Sequence, residues 1–218
     1  MSYSDLLRAV VANQVDPVDF PYNGLVAYYK FDEESGSTAF DYTGNNNGSL
    51  DESIRNENGK INRGLGTILG AGVNITGVET FNGTFTYNVW VNPSEGGGFR
   101  YIFDDAQSRN ILRVESNYTL RDGSSWANTG VSTSHGDYAM VSLVVNGSNT
   151  FFYFNSVLEA TFSFVNGNIG GNTRIGRHNN GTSGNDFEGL LDEFGLWDRV
   201  LSQQEIDNIY NNGNGGQP

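Results

Sequence analysis

From Gly24 onward the chain is a series of short apolar or alternating runs separated by glycine and asparagine. The clearest are Leu25–Phe31, Phe85–Val91, Arg100–Phe103, Ile111–Val114, Met140–Val145 and Phe151–Phe154. Runs of this length bounded by turn residues predict strands. The first is apolar on both faces apart from Lys30, as in a strand covered on both sides. Asn146-Gly147-Ser148-Asn149 predicts a hairpin into the last run. No crossover helix separates the runs, so the sheets are expected to be antiparallel. Two stretches depart from this pattern. Ser4–Ala12 has helical apolar spacing with Ser4 at the N-cap, and its two or so turns are too few to be stable unless docked. Asp16-Pro17 and Phe20-Pro21 then call for an extended connector. Near the other end, Ser202 and Glu205 form a capping box. Leu201 and Ile206 staple it, and Ile206, Ile209 and Tyr210 share an apolar face, with Gly213 placed to stop the helix. The organisation read from this is an arm and linker over 1–23, an all-β domain over 24–213 and a loose tail over 214–218.

Composition sharpens the picture. Fourteen Phe and 11 Tyr can fill a core between two sheets, and 29 Gly against 4 Pro suit frequent tight turns. With 12 Lys and Arg against 25 Asp and Glu, the net charge is −13. Such a surface repels phosphate backbones and anionic lipid, which argues against nucleic acid and membranes as partners. It is compatible with divalent cations and neutral sugars. The absence of Cys excludes disulfides, thiolate zinc sites and thiol nucleophiles. The first residues lack a basic n-region, Arg8 interrupts the apolar stretch, and no segment is apolar enough to span a bilayer. The chain is therefore expected to carry no signal peptide and to fold in the cytoplasm or after trimming.

The two ends of the β region carry a recognisable pattern. One is Gly24 to Glu33, followed by Ser35-Gly36, Asp41 and Gly44-Asn45. The other is Phe187 to Phe194, then Trp197 to Ser202, Glu205-Ile206, Tyr210 and Gly213. Gly59-Lys60, Phe85-Thr86, Trp90-Val91, Pro93 and the strand from Tyr138 to Val145 agree with it. This resembles the laminin-G-like, concanavalin-A-like jelly-roll superfamily over about Gly24 to Gly213. It departs at Ser156, where the family usually turns with Asn-Gly. The resemblance implies a two-sheet antiparallel jelly-roll β-sandwich with its first and last strands adjacent, and mostly binding roles, above all for glycans or neighbouring proteins.

Candidate chemistry is sparse. The resemblance implies a structural Ca²⁺ near the junction of the first and last strands, for which Asp32 and Asp192 are the candidate ligands with Asp41 assisting. Asp41, Thr43, Asn45, Asn47 and Glu52 have EF-hand spacing, but Asn46 stands where glycine is required and no helices flank the loop. The superfamily's glucanases use carboxylates at alternate positions of one strand, and no such strand occurs. Asp192 and Glu193 are expected on opposite faces, and His135 and His178 at the surface, without a serine elbow or zinc motif. For glycan binding, Trp126 in a polar loop is the stacking candidate, while Trp90 and Trp197 belong to strand-like runs and the core. The resulting expectation is a non-catalytic binding or display module for a glycan or cell-surface polysaccharide. Residues 1–20 would attach it to a protein partner in a larger assembly, such as a virus or bacteriophage particle or a cell surface. The alternatives are a purely structural subunit and a glycoside-active enzyme.

Overall fold

The computed structural model of the protein describes residues 19–50, 55–95, 100–104, 112–122, 125–163, 168–178 and 184–218. Two antiparallel sheets face each other. In the first the order is β14 (Val157–Phe162), β13 (Thr150–Phe154), β12 (Ala139–Asn146), β7 (Thr84–Pro93), β16 (Gly189–Trp197), β5 (Arg63–Thr67) and β4 (Arg55–Asn58). Strand β1 (Leu25–Tyr29) shares an edge of β16 with β5, pairing with Phe194–Trp197 while β5 pairs with Gly189–Leu191. The second sheet runs β11 (Ser125–Ser132), β10 (Asn117–Asp122), β9 (Leu112–Val114), β8 (Arg100–Asp104), β15 (Asn168–Ile175), β6 (Val73–Asn82), β3 (Gly48–Leu50) and β2 (Thr38–Ala39). The expected jelly-roll sandwich, with its first and last strands adjacent, is what the chain forms.

Alternation along the strands builds the core between the sheets. Phe85, Tyr87, Val89 and Val91 of β7 and Val141, Leu143 and Val145 of β12 point inward, where Tyr87, Phe103 and Phe194 pack ring against ring. The opposite positions of the same strands, Trp90, Met140 and Val144, join Tyr28 and Trp197 in a second core outside the first sheet. Helix α1 (Gln203–Tyr210) closes it with Ile206 and Ile209. The capping box forms as expected, with the Ser202 side chain accepting from the Glu205 amide and the Glu205 carboxylate from the Ser202 amide. The Arg199 guanidinium, 2.6 Å from Glu205, holds that carboxyl at about 2. The helix ends earlier than Gly213 because Asn211 already takes the left-handed conformation.

Three further details differ from the sequence reading. Phe20 is only 4% exposed and packs in the second core, and the Pro21 carbonyl accepts from the Trp197 indole at 2.7 Å. The connector is thus part of the domain from Phe20 on, while the helical arm proposed over Ser4–Ala12 lies outside the described residues. The tail is held as well, by Gly216 donating to the Ile209 carbonyl and Lys30 to that of Pro218. At the turn into β14, Asn155 and Ser156 both adopt positive φ, 48° and 65°, so serine serves where the family uses glycine. Its hydroxyl donates to Asp207 at 2.8 Å, tying the turn to α1.

Candidate functional site

Four carboxylates singled out by the sequence fall into two environments. On β16 a bulge interrupts the pairing between Asp192 and Gly195, with Glu193 at φ 50°. A bulge places two consecutive side chains on one side of a strand. Asp192, whose cross-strand partner is Trp90, and Glu193, which bonds Tyr28, therefore both lie on the outer side, beside the second core. This corrects the expectation that they face opposite sides. Both are 0% exposed. Burial pushes Asp192 up to about 8 and Glu193 to about 7, opposed for Asp192 by amide donors and for Glu193 by the Tyr28 hydroxyl. Asp192 accepts from the Glu193 and Ile61 amides at 2.9 Å. Close approach of the turn needs Gly59, since a Cβ there would meet the Arg63 carbonyl at 1.9 Å and the Asp192 carboxylate at 2.6 Å.

Asp32 attaches to the same turn, accepting from the Arg63 amide at 3.0 Å and the Asn62 side chain at 3.3 Å. Asp41 is placed apart from Asp192, beneath the loop after β2. Its carboxylate takes the amides of Tyr28, Thr43, Asn45 and Asn46 and the Thr43 hydroxyl. Thr43 and Asn45, two of the residues with EF-hand spacing, thus belong to an Asx turn around Asp41, while Glu52 lies outside the described residues. The fold brings Asp32 and Asp192 to one turn, where each of their oxygens accepts an N–H, while Asp41 stays apart with several donors on each oxygen. Among the described residues no group of three His, Cys, Asp or Glu converges on a metal position. The three carboxylates do not fit a shared Ca²⁺. Asp32 and Asp41 also border a cleft of about 520 Å³ with the exposed rings of Phe40 and Tyr42, the latter covered by the Lys30 ammonium at 5.0 Å.

Trp126 occupies a different kind of place. It lies on β11 opposite Arg121, one step from Ala127, whose partner Leu120 is in the core. It therefore faces outward from the second sheet. The ring leans across β10 until the Arg113 guanidinium sits 3.5 Å from its centroid, with Arg121 at 5.9 Å. Arg113 donates to Thr119 at 2.9 Å and also bonds the Tyr101 hydroxyl. Burial holds the Arg113 guanidinium below its ordinary value, and the nearby Arg121 charge adds to this. Tyr101 stands 6.2 Å from Trp126 and 4.1 Å from the ring of His178. His178 is 8% exposed, with Nδ1 3.9 Å from the buried carboxylate of Asp104, and so is not the surface histidine expected, whereas His135 is exposed. The result is a strip of aromatic rings and guanidinium groups running across the strands. The sequence reading singled out Trp126 but put it in a polar loop, whereas it lies on β11, and it did not single out Tyr101, Arg113 or Arg121. Arg113 does alternate with Leu112 and Val114, which marks it as outward, but only strand order sets it against Trp126.

Solved structures share this architecture at low identity. Domain 4 of an extracellular arabinanase from Geobacillus stearothermophilus, in complex with arabinotriose, is 17% identical with a TM-score of 0.66, covering 84% of this chain and 96% of its own. Trypanosoma rangeli sialidase in complex with sialic acid is 15% identical with a TM-score of 0.73, covering 98% of this chain and 40% of its own. The binding domain of Paraclostridial Mosquitocidal Protein 1 is 14% identical with a TM-score of 0.69, covering 88% of this chain and 52% of its own. This chain thus spans well under two thirds of the sialidase and toxin chains. No curated protein sequence matches it. Residues 65–207, more than half of the sequence, match the family model of the concanavalin A-like lectin/glucanases superfamily, and the chain belongs to that superfamily.

Proposed function

We propose that this chain is a glycan-binding module that holds its ligand on the outer face of the second sheet and leaves glycosidic bonds intact. The observation that carries this reading is the half-buried ring of Trp126 on the outer face, held by Arg113 and by the buried ring of Tyr101. The corresponding face of the first sheet is covered by α1 and Phe20. An aromatic ring beside fixed polar donors suits sugars, whose C–H surfaces stack while their hydroxyls take hydrogen bonds. The arabinanase domain with arabinotriose and the toxin's binding domain support a binding role by analogy of fold. Against cleavage, a retaining mechanism needs an acid and a nucleophile about 5 Å apart and open to substrate. The adjacent pair Asp192 and Glu193 is fully buried beside the turn at residues 59–63. Single sites of this kind are weak, and several copies displayed together raise avidity.

The test is a multivalent glycan array with product analysis on the best hits. Trp126→Ala is expected to abolish binding while Tyr42→Ala, in the cleft beside β2, retains it. Binding that survives Trp126→Ala removes this face from the site, and released oligosaccharide overturns the non-cleaving reading.

A further inference from the structure

The second sheet has two ends, and Trp126 on β11 stands at one while β2 closes the other. Where the chain leaves β2 it stays extended, with Asp41 bridged to Tyr29. Alternation therefore buries Ala39 and Asp41 and turns Phe40 and Tyr42 outward together, 61% and 52% exposed. Both rings border the cleft of about 520 Å³, where the loop after β1 adds Asp32, Glu33 and Glu34. Glu33 is pinned in this wall. One of its carboxylate oxygens accepts from the Phe40 amide at 2.6 Å, and the other is buried without a hydrogen-bond partner. The fold thus leaves that charge under-neutralised beside the cleft. Of the described cations, two meet the rim. Lys30 lies 5.0 Å from the centre of the Tyr42 ring, and Arg63 lies 3.5 Å from Glu34 in an exposed pair that solvent weakens. Four carboxylates, counting Asp41, against two cations leave the cleft negative.

We infer that this cleft is a second site, separate from Trp126, and that it takes an arginine from an exposed basic segment of a protein partner. Aromatic faces attract cations, and the Lys30 ammonium over Tyr42 shows this wall already doing so. Phe40 presents a second ring. A guanidinium is planar and weakly hydrated, so it stacks on such a ring while its N–H fork turns to carboxylates, here Glu33 and Glu34. The volume is that of a small-ligand site and admits an apolar neighbour of the arginine against the same rings. With the two sites at opposite ends of one sheet, a partner held here leaves the face at Trp126 open.

The experiment titrates the acetylated peptide amide Gly-Leu-Arg-Leu-Gly into the full isotope-labelled chain and follows the backbone amide resonances of Glu34, Phe40 and Tyr42. Versions with citrulline, the uncharged shape of arginine, and with glutamate are the controls. The arginine peptide should move these resonances, and citrulline should bind more weakly by roughly tenfold or more, the order of a charge-assisted hydrogen bond. Added salt should weaken binding. Phe40→Ala removes an exposed side chain, so it should keep the melting curve and lose the peptide. Lys30→Gln takes away the internal competitor and should tighten binding by about two- to fivefold, the worth of an exposed cation–π contact. Trp126→Ala should change nothing. Equal binding of arginine and citrulline overturns the inference, as does a response confined to residues outside the cleft or no response to any peptide. Galactotriose moving the same resonances when the arginine peptide does not would make the cleft a sugar site and also overturns it. Binding by a chain beginning at Asp19 but not by the full chain would make residues 1–18 the occupant in place of a partner.

Discussion

The phenol of Tyr28, on the first strand of the sandwich, donates a 2.5 Å hydrogen bond to the carboxylate of Glu193, 165 residues later on the last. The other oxygen of that carboxylate is buried with no partner among the described residues. Beside it Asp192 is fully buried as well, so two acids share a low-dielectric layer between the first sheet and the turn at 59–63.

This pair sets a pH dependence whose sign is fixed by burial. Folded values of about 8 for Asp192 and about 7 for Glu193 lie above the ordinary 3.8 and 4.5. The folded chain then holds more protons than the unfolded one between those limits, so the contribution is present below about pH 4 and is lost as the pH rises through about 8. Urea unfolding across this range should show stability falling with pH, by up to about 1.4 kcal/mol per pH unit for each group. The double change Asp192→Asn with Glu193→Gln should flatten that slope. An unchanged slope would mean both acids are ionised in the fold. Glu205, lowered to about 2, acts in the opposite direction, and its contribution disappears only as the pH falls from about 4.5 toward 2.

Because Asp41 is held apart under its own loop and, among the described residues, no third acidic or imidazole side chain joins Asp32 and Asp192, chelation should not alter the melting curve. The comparison is scanning calorimetry of the untreated chain, with excess chelator and with added Ca²⁺. Ligand bound to the native state raises its stability by mass action. A fall on chelation that Ca²⁺ restores would therefore mean that these carboxylates do hold the ion.

Phe20 is the first buried residue among those described. Its ring packs edge-on against Tyr28 at 5.3 Å and tilted against Trp197 at 6.0 Å. Phe20→Ala should cost about 3–5 kcal/mol, the usual range for a buried phenylalanine. A chain beginning at Gly24 should be less stable than one beginning at Asp19 by a similar amount, measured by chemical unfolding. Equal stability of the two would show the Phe20 contacts to be dispensable.

Local features were legible in the sequence because their physics is local. The capping box at Ser202 and Glu205 depends on side chains three residues apart, and the burial of Trp90 and Trp197 follows from strand periodicity. The family pattern at both ends of the domain likewise carried the adjacency of β1 and β16. Tertiary structure alone decided the rest. Strict alternation puts Asp192 and Glu193 on opposite faces, and a bulge with a positive φ at a glutamate, for which the sequence offers no glycine as a signal, turns both to one side. The neighbours of Trp126 come from β9 and β8, so its stacking on Arg113 and its contact with Tyr101 exist only once the strand order is set. Sequence patterns record which way a side chain points. Which charges it meets is settled by pairing between distant strands.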